Sequence, residues 1–404
     1  MNKKSHLDIW LHGHHVGTWF PARYAQPRLK YAPSWLVNPN AVPLSLSLSL
    51  PLAAHNAPYD HSGDVVANYF ENLLPDNQAI RDRIKEKFRV RNTQAHNLLA
   101  EIGRDCVGAI QILPPDVQPE SPPVIRSAPL SESDIERVLR DAVSPPLPGV
   151  NDDDEFRISI AGAQEKTALL WHDGRWCRPL GNTATTHIFK LPLGIIGGQQ
   201  RDMSESVENE WLCAQILGAF GLDTPYCQIA QFGEQKTLIV ERFDRAWHGD
   251  ELVRLPQEDC CQAMGLPPEK KYESDGGPGM LRIAQLLATS RGGLASVGQF
   301  LRTQVLFYLL AATDGHAKNF SIRLLRSNQY ELLPFYDILS IWPLVGKGPK
   351  SVQYQNIKMA MGFKATKGTK RNLHMIMPRH IEATAKACGY PELRLEIEQI
   401  MDLL

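Results

Sequence analysis

An aspartate and an asparagine follow an apolar run in the segment LLAATDGHAKNFSI. They are Asp314 and Asn319, five residues apart with Gly315 between them. In kinases, a catalytic-loop aspartate accepts the proton of the substrate hydroxyl, and an asparagine five positions later holds a metal ion. A further carboxylate, Asp337, follows in YELLPFYDIL, and such oxygen ligands suit Mg²⁺ beside substrate phosphates. The spacing therefore indicates phosphoryl transfer, with Asp314 as the catalytic residue.

A lysine, a glutamate and a hinge-like strand precede this segment in the order of a kinase site. Lys190 lies in the predicted strand THIFKLP, where its ammonium group needs a phosphate or a carboxylate as partner. The helix SVENEWLCAQILGAFG offers Glu208 and Glu210, of which we favour Glu210. Glu241 and Phe243 end the strand LIVERF, where the backbone could bond an adenine edge and the ring could pack on it.

Each of these signals also has a simpler structural interpretation. An Asp and an Asn around a glycine are common in ordinary turns, and a lone strand lysine is often an edge residue. The order of the five signals along the chain is what favours a kinase-like site. The sequence has no G-x-x-x-x-G-K-[ST] motif, which argues against a P-loop NTPase. The HGHH segment at 12–15 is better explained as an exposed turn than as a metal site.

The composition predicts a soluble cytoplasmic protein. Of 404 residues, 43% are hydrophobic and 22% charged, which is ordinary for a globular protein with a sizeable core. With a net charge of −1, any contact with nucleic acid must come from a local patch. Seven scattered cysteines without a C-x-x-C pair argue against a disulfide framework or a zinc site. No segment approaches the roughly 20 apolar residues of a membrane span, and the start of the chain lacks a signal-peptide core.

Hydrophobic periodicity and proline-rich segments divide the chain into four parts. The expected elements of the first part are a hairpin over 7–20, a strand over 43–52, helices within 63–91, and a helix, turn and strand over 98–113. Strands dominate from 156 onward and helices dominate beyond about 255, which indicates an α+β fold with two lobes. The predicted domains are an N-terminal subdomain 1–115, a linker 116–150 with a short helix, a strand-rich lobe 151–250 and a helical lobe 251–404.

Several long segments resemble the HipA family of bacterial Ser/Thr protein kinase toxins, which belong to type II toxin–antitoxin modules. The C-terminal part carries FRISIAGAQEKTALL, THIFKLP, VENEW, VERFDR, RLPQEDCCQAMG, KYESDGGPG, TDGHAKNFSI and PFYDI. The N-terminal part carries YAPSWL, PLSLSLSLPL, ENLLPDN and EIGRDCVGAI. The resemblance covers about residues 7–400. It implies a two-lobed protein-kinase-like fold with an extra N-terminal α/β subdomain, ATP binding in the strand-rich lobe and catalysis from the helical lobe.

The resemblance also implies cofactors, partners and a target. The cofactors are ATP and Mg²⁺, and the partners are a helix-turn-helix antitoxin dimer and, through that complex, operator DNA. The target class is an aminoacyl-tRNA synthetase, chiefly the glutamyl enzyme, whose phosphorylation stops charging and favours dormancy and persistence. Two other interpretations stay open: a small-molecule phosphotransferase on the same scaffold, and a non-catalytic corepressor.

Matched motif by motif, the resemblance implies roles for individual residues. Asp314 matches the catalytic aspartate, Asn319 and Asp337 match metal ligands, and Lys190 matches the lysine on the ATP phosphates. The positions that match contacts to the adenine or the pocket are Glu241, Phe243, Val107, Gln257, His316 and Tyr336.

The segment ISIAGAQEK matches the loop that covers the ATP phosphates. Ser159 matches the serine that these kinases autophosphorylate. The loop has one glycine, Gly162, where ordinary kinases have G-x-G-x-x-G, so we expect the backbone amides from Ala161 to Ala163 to contact the phosphates. A phosphate on Ser159 adds up to about two negative charges beside the anionic nucleotide. We therefore predict that this modification ejects the loop and switches the kinase off.

A basic stretch follows Asp337. No acidic residue occurs before Glu382, whereas eight basic ones do: Lys347, Lys350, Lys358, Lys364, Lys367, Lys370, Arg371 and Arg379. The stretch is either a solvated loop or a basic face that steers an acidic target, a tRNA-bearing target or operator DNA.

Overall fold

The N-terminal part is built on a five-stranded antiparallel sheet. The computed structural model describes residues 6–22, 26–51, 59–120, 124–143, 159–160, 162, 164–396 and 398. The strands are β1 (Leu7–Leu11), β2 (His14–Phe20), β3 (Arg28–Tyr31), β4 (Tyr59–Ser62) and β5 (Gln111–Leu113), in the order β4-β3-β2-β1-β5. The predicted hairpin over 7–20 is confirmed, because β1 and β2 pair across a turn at His12 and Gly13. Both turn residues have positive φ, as tight two-residue hairpin turns require.

Helices cover this sheet and bury its aromatic side chains. They are α1 (Pro33–Leu36), α2 (Asp64–Glu71), α3 (Gln78–Lys87) and α4 (Ala95–Ile102). Trp19 of β2 stacks on Phe70 of α2 with ring centroids 3.7 Å apart. The helices expected within 63–91, and the helix, turn and strand expected over 98–113, are therefore confirmed.

The predicted strand over 43–52 is wrong. Its described residues are irregular. The hydroxyls of Ser45 and Ser47 both donate to the carbonyl of Gln262, and the amide of Leu46 donates to the carboxylate of Glu258. These partners bind the two hydroxyls and the amide of Leu46, so these groups do not need hydrogen bonds to a neighbouring strand. The alternation of Leu and Ser thus belongs to a polar contact between the N-terminal and C-terminal parts.

The strand-rich lobe contains a six-stranded sheet. Its strands are β6 (Ser127–Pro129), β7 (Lys166–His172), β8 (Arg175–Pro179), β9 (His187–Lys190), β12 (Cys227–Phe232) and β13 (Gln235–Glu241), in the order β12-β13-β9-β7-β8-β6. A hairpin of β10 (Gly194–Ile196) and β11 (Arg201–Met203) lies between β9 and β12 in sequence.

One helix packs on each face of this sheet. Helix α5 (Glu132–Val143) packs Ile135 against Ile239 of β13, whereas α6 (Ser206–Ala219) packs Val207 against Leu238. Successive strand residues point to opposite faces, so the two helices cover opposite sides. Both β6 and α5 fall inside the predicted linker 116–150, yet they pack on this lobe.

The C-terminal lobe is helical at its core but holds more strands than the sequence suggests. Its helices are α7 (Cys260–Ala263), α8 (Met280–Ala288), α9 (Gly293–Leu310) and α10 (Pro378–Ala387). Its strands, with the hairpin that leads into the lobe, are β14 (Arg245–His248), β15 (Glu251–Arg254), β16 (Gln257–Asp259), β17 (Ser321–Leu324), β18 (Tyr330–Leu332), β19 (Lys358–Lys364) and β20 (Thr369–Asn372). The seven cysteines of the chain are unpaired and buried. None of the helices described has both the length and the apolar character needed to cross a membrane.

A buried cluster of charged side chains joins the N-terminal part to the end of β13. Its members are Asp105, Arg242, Asp244, Arg245 and Arg254. Arg245 Nη2 lies 2.8 Å from Asp105 Oδ1, and Arg242 Nη2 lies 2.7 Å from Asp244 Oδ2. Arg242 and Arg245 both donate to the carbonyl of Cys106 as well. The cluster fixes the strand end where the two lobes meet.

We expect acid to destabilise the chain through Asp105. Burial raises the pKa of Asp105, but the guanidinium groups of Arg245, Arg242 and Arg254 outweigh burial and hold that pKa well below its usual range. Because the folded-state pKa lies below the unfolded one, the ionised cluster stabilises the fold above about pH 4, and this stabilisation is lost as the pH falls further. The melting temperature should therefore drop steeply between about pH 5 and about pH 3. The melting temperature of Asp105→Asn should be lower than that of the parent at neutral pH and should fall less steeply as the pH decreases. An equally steep fall would contradict this assignment.

Candidate active site

Asp314 and Asn319 lie on one loop after the long helix α9. The apolar run before Asp314 forms the last turns of α9, and Ala311 ends the helix in the left-handed conformation. Asp314 is exposed, whereas Asn319 is buried. Asn319 Nδ2 donates to the backbone carbonyl of Asp314 at 2.8 Å. This bond turns the asparagine back towards the loop and leaves its amide oxygen as a potential cation ligand.

Two predicted carboxylates meet at the ammonium group of Lys190. Lys190 Nζ, at the end of β9, lies 2.8 Å from Asp337 Oδ1 and 2.5 Å from Glu210 Oε1 of α6. Burial lowers the pKa of Lys190, but Asp337 and Glu210 outweigh burial and raise it, so the lysine stays charged. Glu208, the other helix candidate, pairs instead with Lys236 near the surface. The favoured partner Glu210 is thus the one in contact.

A second lysine, Lys166, lies beside Lys190 and was not predicted. The two are directly opposite each other on the antiparallel strands β7 and β9. Like charges at opposed positions repel, which makes the pair a favourable place for an anion. Burial lowers the pKa of Lys166 to about 8. Gly162 lies over this amine, since a Cβ added there would be 2.5 Å from Lys166 Nζ. The strand register that pairs the two lysines was not evident from sequence.

The side chains at Asp337 and Asn319 fit a magnesium ion delivered with a nucleotide. They offer one carboxylate and one amide oxygen, and Mg²⁺ usually takes one or two such ligands together with phosphate oxygens and waters. Burial raises the pKa of Asp337, but Lys190 and Lys166 outweigh burial and keep that pKa well below its usual range. Asp337 is therefore an anion at neutral pH. Among the described residues, no cluster of three or more His, Cys, Asp or Glu side chains forms a metal cage from protein alone.

The predicted hinge lies next to this site. Glu241 is the last residue of β13, and its amide donates to the carbonyl of Tyr226 at 2.9 Å. A contact from Glu241 to an adenine would therefore use its carbonyl or its carboxylate. The ring of Phe243 lies 5.5 Å from the ring of Tyr336, centroid to centroid. Tyr336 in turn donates to the carbonyl of Lys318 in the Asp314 loop at 2.9 Å.

The remaining predicted pocket positions fall in two places. Gln257 Nε2 lies 3.5 Å from Ser321 Oγ, and Gln257 Oε1 is buried without a partner among the described residues. Val107 precedes Gly108, where an added Cβ would lie 2.8 Å from the carbonyl of Gln257. His316 is buried beside Asp314, with Nε2 3.9 Å from Asp314 Oδ2.

The loop that carries Ser159 is held by the N-terminal part. Ser159 is fully buried, and its Oγ donates to the carbonyl of Leu73 at 2.7 Å. The carbonyl of Gly162 accepts a 3.1 Å hydrogen bond from the amide of Asp76. Ala161 and Ala163, whose amides we expected on the phosphates, lie outside the described residues.

Asp76 also binds the loop that carries Asp314, a contact that was not predicted from the sequence. Its carboxylate lies 3.0 Å from Lys318 Nζ and 2.7 Å from Lys271 Nζ. Burial raises the pKa of Asp76, but the two ammonium groups outweigh burial and lower it, so the contact is ionic. One aspartate of the N-terminal part thus holds both the Gly162 loop and the Asp314 loop. Residues about 240 positions apart meet here, which spacing along the chain cannot indicate.

We expect Asp76→Asn to weaken the contacts that hold the loops around the site, while the predicted site residues themselves are kept. The change abolishes two partly buried ion pairs, so unfolding should cost about 1–3 kcal/mol less. ATP affinity should fall as well, because the loop that carries Asp314 and Asn319 loses its ion pair through Lys318, whereas the backbone amide of residue 76 still holds Gly162. Thermal melts with and without ATP would measure both effects. Asp60→Asn is the matched control, since Asp60 pairs with Arg28 at the surface, 3.6 Å away. Equal melting of the two variants would contradict the anchoring role.

Family models cover most of the chain. Residues 7–113 match the HipA N-terminal domain, and residues 158–403 match the HipA-like C-terminal domain. The chain belongs to the HipA family. The HipA match includes every predicted site residue, with Val107 in the first domain and the others in the second.

Individual relatives of this HipA-family chain are named as kinases. A protein of Sinorhizobium fredii named as the kinase Y4mE is 34% identical over 85% of this chain and 79% of its own length. The serine/threonine-protein kinase toxin HipA of Shewanella oneidensis is 28% identical over 70% of this chain and 65% of its own length. A solved structure of the Shewanella oneidensis MR-1 toxin–antitoxin system, with HipA, HipB and operator DNA, matches with a TM-score of 0.76 and 24% identity. It covers 97% of this chain and 86% of that chain, and it supports the fold.

Proposed function

We propose that the protein is an ATP- and Mg²⁺-dependent serine/threonine-protein kinase toxin of a toxin–antitoxin module. The observation that carries the proposal is the contact of Lys190 with both Glu210 and Asp337. A strand lysine held by a helix glutamate, next to a metal-binding aspartate, is the arrangement that kinases need for phosphoryl transfer. The membership in the HipA family supports the same activity.

Different residues of this chain bind the phosphates, hold the metal ion, accept the proton and contact the adenine. Lys190 and Lys166 present two amines to the nucleotide phosphates under the Gly162 loop. Asp337 and Asn319 would hold the magnesium ion, which neutralises charge on the phosphates when bound. Asp314 orients the acceptor hydroxyl and takes its proton as the new bond from its oxygen to the γ-phosphorus forms and the bond from the γ-phosphorus to the bridging oxygen of ATP breaks, with ADP as the leaving group. Phe243, beside Tyr336, would bound the adenine.

The membership in the HipA family supports a proposal for the target and the partners. We propose a glutamyl-tRNA synthetase as the protein target and a helix-turn-helix antitoxin dimer as the inhibitor. The Shewanella structure combines HipA with HipB and operator DNA, which supports a role for this chain as corepressor of its own operon with such an antitoxin. A small-molecule phosphotransferase and a corepressor without catalysis are the competing functions.

Ser159 is the proposed site of autophosphorylation. Its hydroxyl is a donor to Leu73 and is fully buried. A phosphorylated Ser159 has no hydroxyl proton to donate and carries up to about two negative charges, so it cannot stay in this position without a counter-ion. Modification therefore expels the loop and stops the enzyme.

Mass spectrometry after incubation with Mg-ATP tests the proposal. The protein, first confirmed to be unmodified, is incubated with and without a bacterial glutamyl-tRNA synthetase. We expect phosphate on Ser159 and on the synthetase, and none on the synthetase with Asp314→Asn. Ser159→Ala should lose the autophosphorylation while it still modifies the synthetase. Phosphate on Ser159 alone would keep the kinase and discard this target; no phosphate on either would favour the corepressor without catalysis.

A further inference from the structure

The hydroxyl of a tyrosine in the C-terminal lobe is hydrogen-bonded to the carboxylate of Asp314. Tyr272 lies in the KYESDGGPG segment, and its hydroxyl donates to Asp314 Oδ1 at 2.5 Å. This carboxylate oxygen is one to which an acceptor hydroxyl must donate before phosphoryl transfer. The side chain of Asp314 is otherwise 57% exposed, so solvent and substrates have access to the rest of it.

The ring of Tyr272 is held in place from two sides. It meets the ring of His316 edge to face, with centroids 4.9 Å apart. Lys271 Nζ lies 5.5 Å from the centre of the same ring, and Asp76 holds that ammonium group. Tyr272 is only half-buried, so its side chain can rotate away from Asp314 at the expense of these two ring contacts without disturbing a packed core.

Glu273, the residue after Tyr272, binds through its side chain to the hairpin formed by β19 and β20, which is basic. The carboxylate of Glu273 accepts from the amide of Gly362 at 2.5 Å and from the hydroxyl of Thr369 at 3.1 Å. Lys358 and Lys364 are exposed on β19 of this hairpin. A protein that docks on the hairpin therefore contacts the element that holds Tyr272.

We propose that Tyr272 is a pseudosubstrate, whose hydroxyl takes the place of the acceptor hydroxyl on Asp314 until a protein target displaces it. The proposal rests on the kinase function proposed above and adds a specificity element to that site. A small or poorly held hydroxyl competes badly with an internal one, whereas a docked protein brings its serine to Asp314 at high local concentration. Tyr272 thereby favours docked proteins over water and stray alcohols.

The state of the phenol agrees with this role. Burial, together with the Asp314 charge, raises the pKa of Tyr272. The hydroxyl therefore stays protonated at neutral pH and remains a donor, as a serine would be. A phenolate would repel the carboxylate of Asp314 and leave it without the hydrogen bond from Tyr272.

Steady-state kinetics of Tyr272→Phe test the proposal. The unmodified parent and the variant are compared with a bacterial glutamyl-tRNA synthetase and with myelin basic protein as acceptors. Removal of the competing hydroxyl should lower KM for the acceptor about five- to tenfold and leave kcat and the Kd of ATP unchanged. Tyr390→Phe is the matched control, because Tyr390 donates to the carboxylate of Glu396 at 2.7 Å elsewhere in the same lobe. Its kinetics should equal those of the parent.

The split between KM and kcat separates the alternatives. A fall in kcat at unchanged KM would mean that Tyr272 positions Asp314, and would overturn the pseudosubstrate role alone. Unchanged kinetics would overturn it too, again without touching the kinase function. A parent chain that transfers no phosphate to either acceptor or to itself would overturn both proposals.

Discussion

Replacement of Asp314 by asparagine should lower phosphoryl transfer to a protein target by about a thousandfold. Asparagine has nearly the same shape and can still accept from Tyr272, so the loop should keep its conformation. It cannot take the proton of the acceptor hydroxyl, and it removes the negative charge that orients this group. Radiolabelled ATP and a bacterial glutamyl-tRNA synthetase would measure the rate, and the melting temperature should change little.

A carboxylate in the neighbouring loop serves as control for the Asp314 variant. Asp275 is exposed in the same KYESDGGPG segment as Tyr272. Asp275→Asn removes one negative charge near the site, so it accounts for any general electrostatic effect. We expect it to keep nearly full activity. A similar loss in both variants would show that Asp314 acts through overall charge and not as the group on the acceptor hydroxyl.

Lys190→Met should disable the site and destabilise the fold at once. The variant leaves Glu210 unpaired in a buried position and takes the nearest ammonium group from Asp337. Removal of one partner from a buried ion pair costs about 3–5 kcal/mol of unfolding free energy. ATP affinity should fall by at least about tenfold, because a charge-assisted contact to phosphate is lost. Denaturant unfolding and nucleotide titration would measure the two effects separately.

A lysine that pairs with the other glutamate of helix α6 provides a matched control for the Lys190 variant. Lys236 pairs with Glu208, two residues from Glu210, but both side chains are about one-third or more exposed. Such a surface pair contributes about 0–1 kcal/mol, so Lys236→Met should unfold and bind ATP almost as the parent does. If Lys190→Met were equally mild, the buried contact would have neither the structural nor the nucleotide-binding role assigned to it.

The sequence could predict the residues of the site in order, but only some of their contacts. Lys190 and Asp337 each follow from local pattern, because a strand lysine and a carboxylate after a strand turn stand out from their neighbours. Lys166 does not, since its role depends on a strand register that pairs it with Lys190. Tyr272 resembles an ordinary tyrosine in a glycine-rich loop until the fold brings it to Asp314.

The N-terminal part shows a second limit of sequence reasoning. The period-2 pattern over 43–52 predicted one buried and one exposed face, but Ser45 is as buried as Leu44, because Ser45 and Ser47 bond to the carbonyl of Gln262 across a domain contact. Nothing in ENLLPDN singles out Asp76, because neither of its lysine partners is near it in sequence. Local patterns report on the neighbours along the chain, whereas both contacts are made by residues about two hundred positions away or more.

Glu258 shows why the two family domains are not two independent folding units. It is fully buried, burial raises its pKa to about 8, and its carboxylate accepts from the amide of Leu46. A chain cut after residue 113 would leave Glu258, Lys318 and the three buried arginines Arg242, Arg245 and Arg254 without their N-terminal partners in the C-terminal fragment. The two domains that the family models separate therefore form one folding unit. Expression of the C-terminal fragment alone would yield a protein that needs its missing portion supplied in trans.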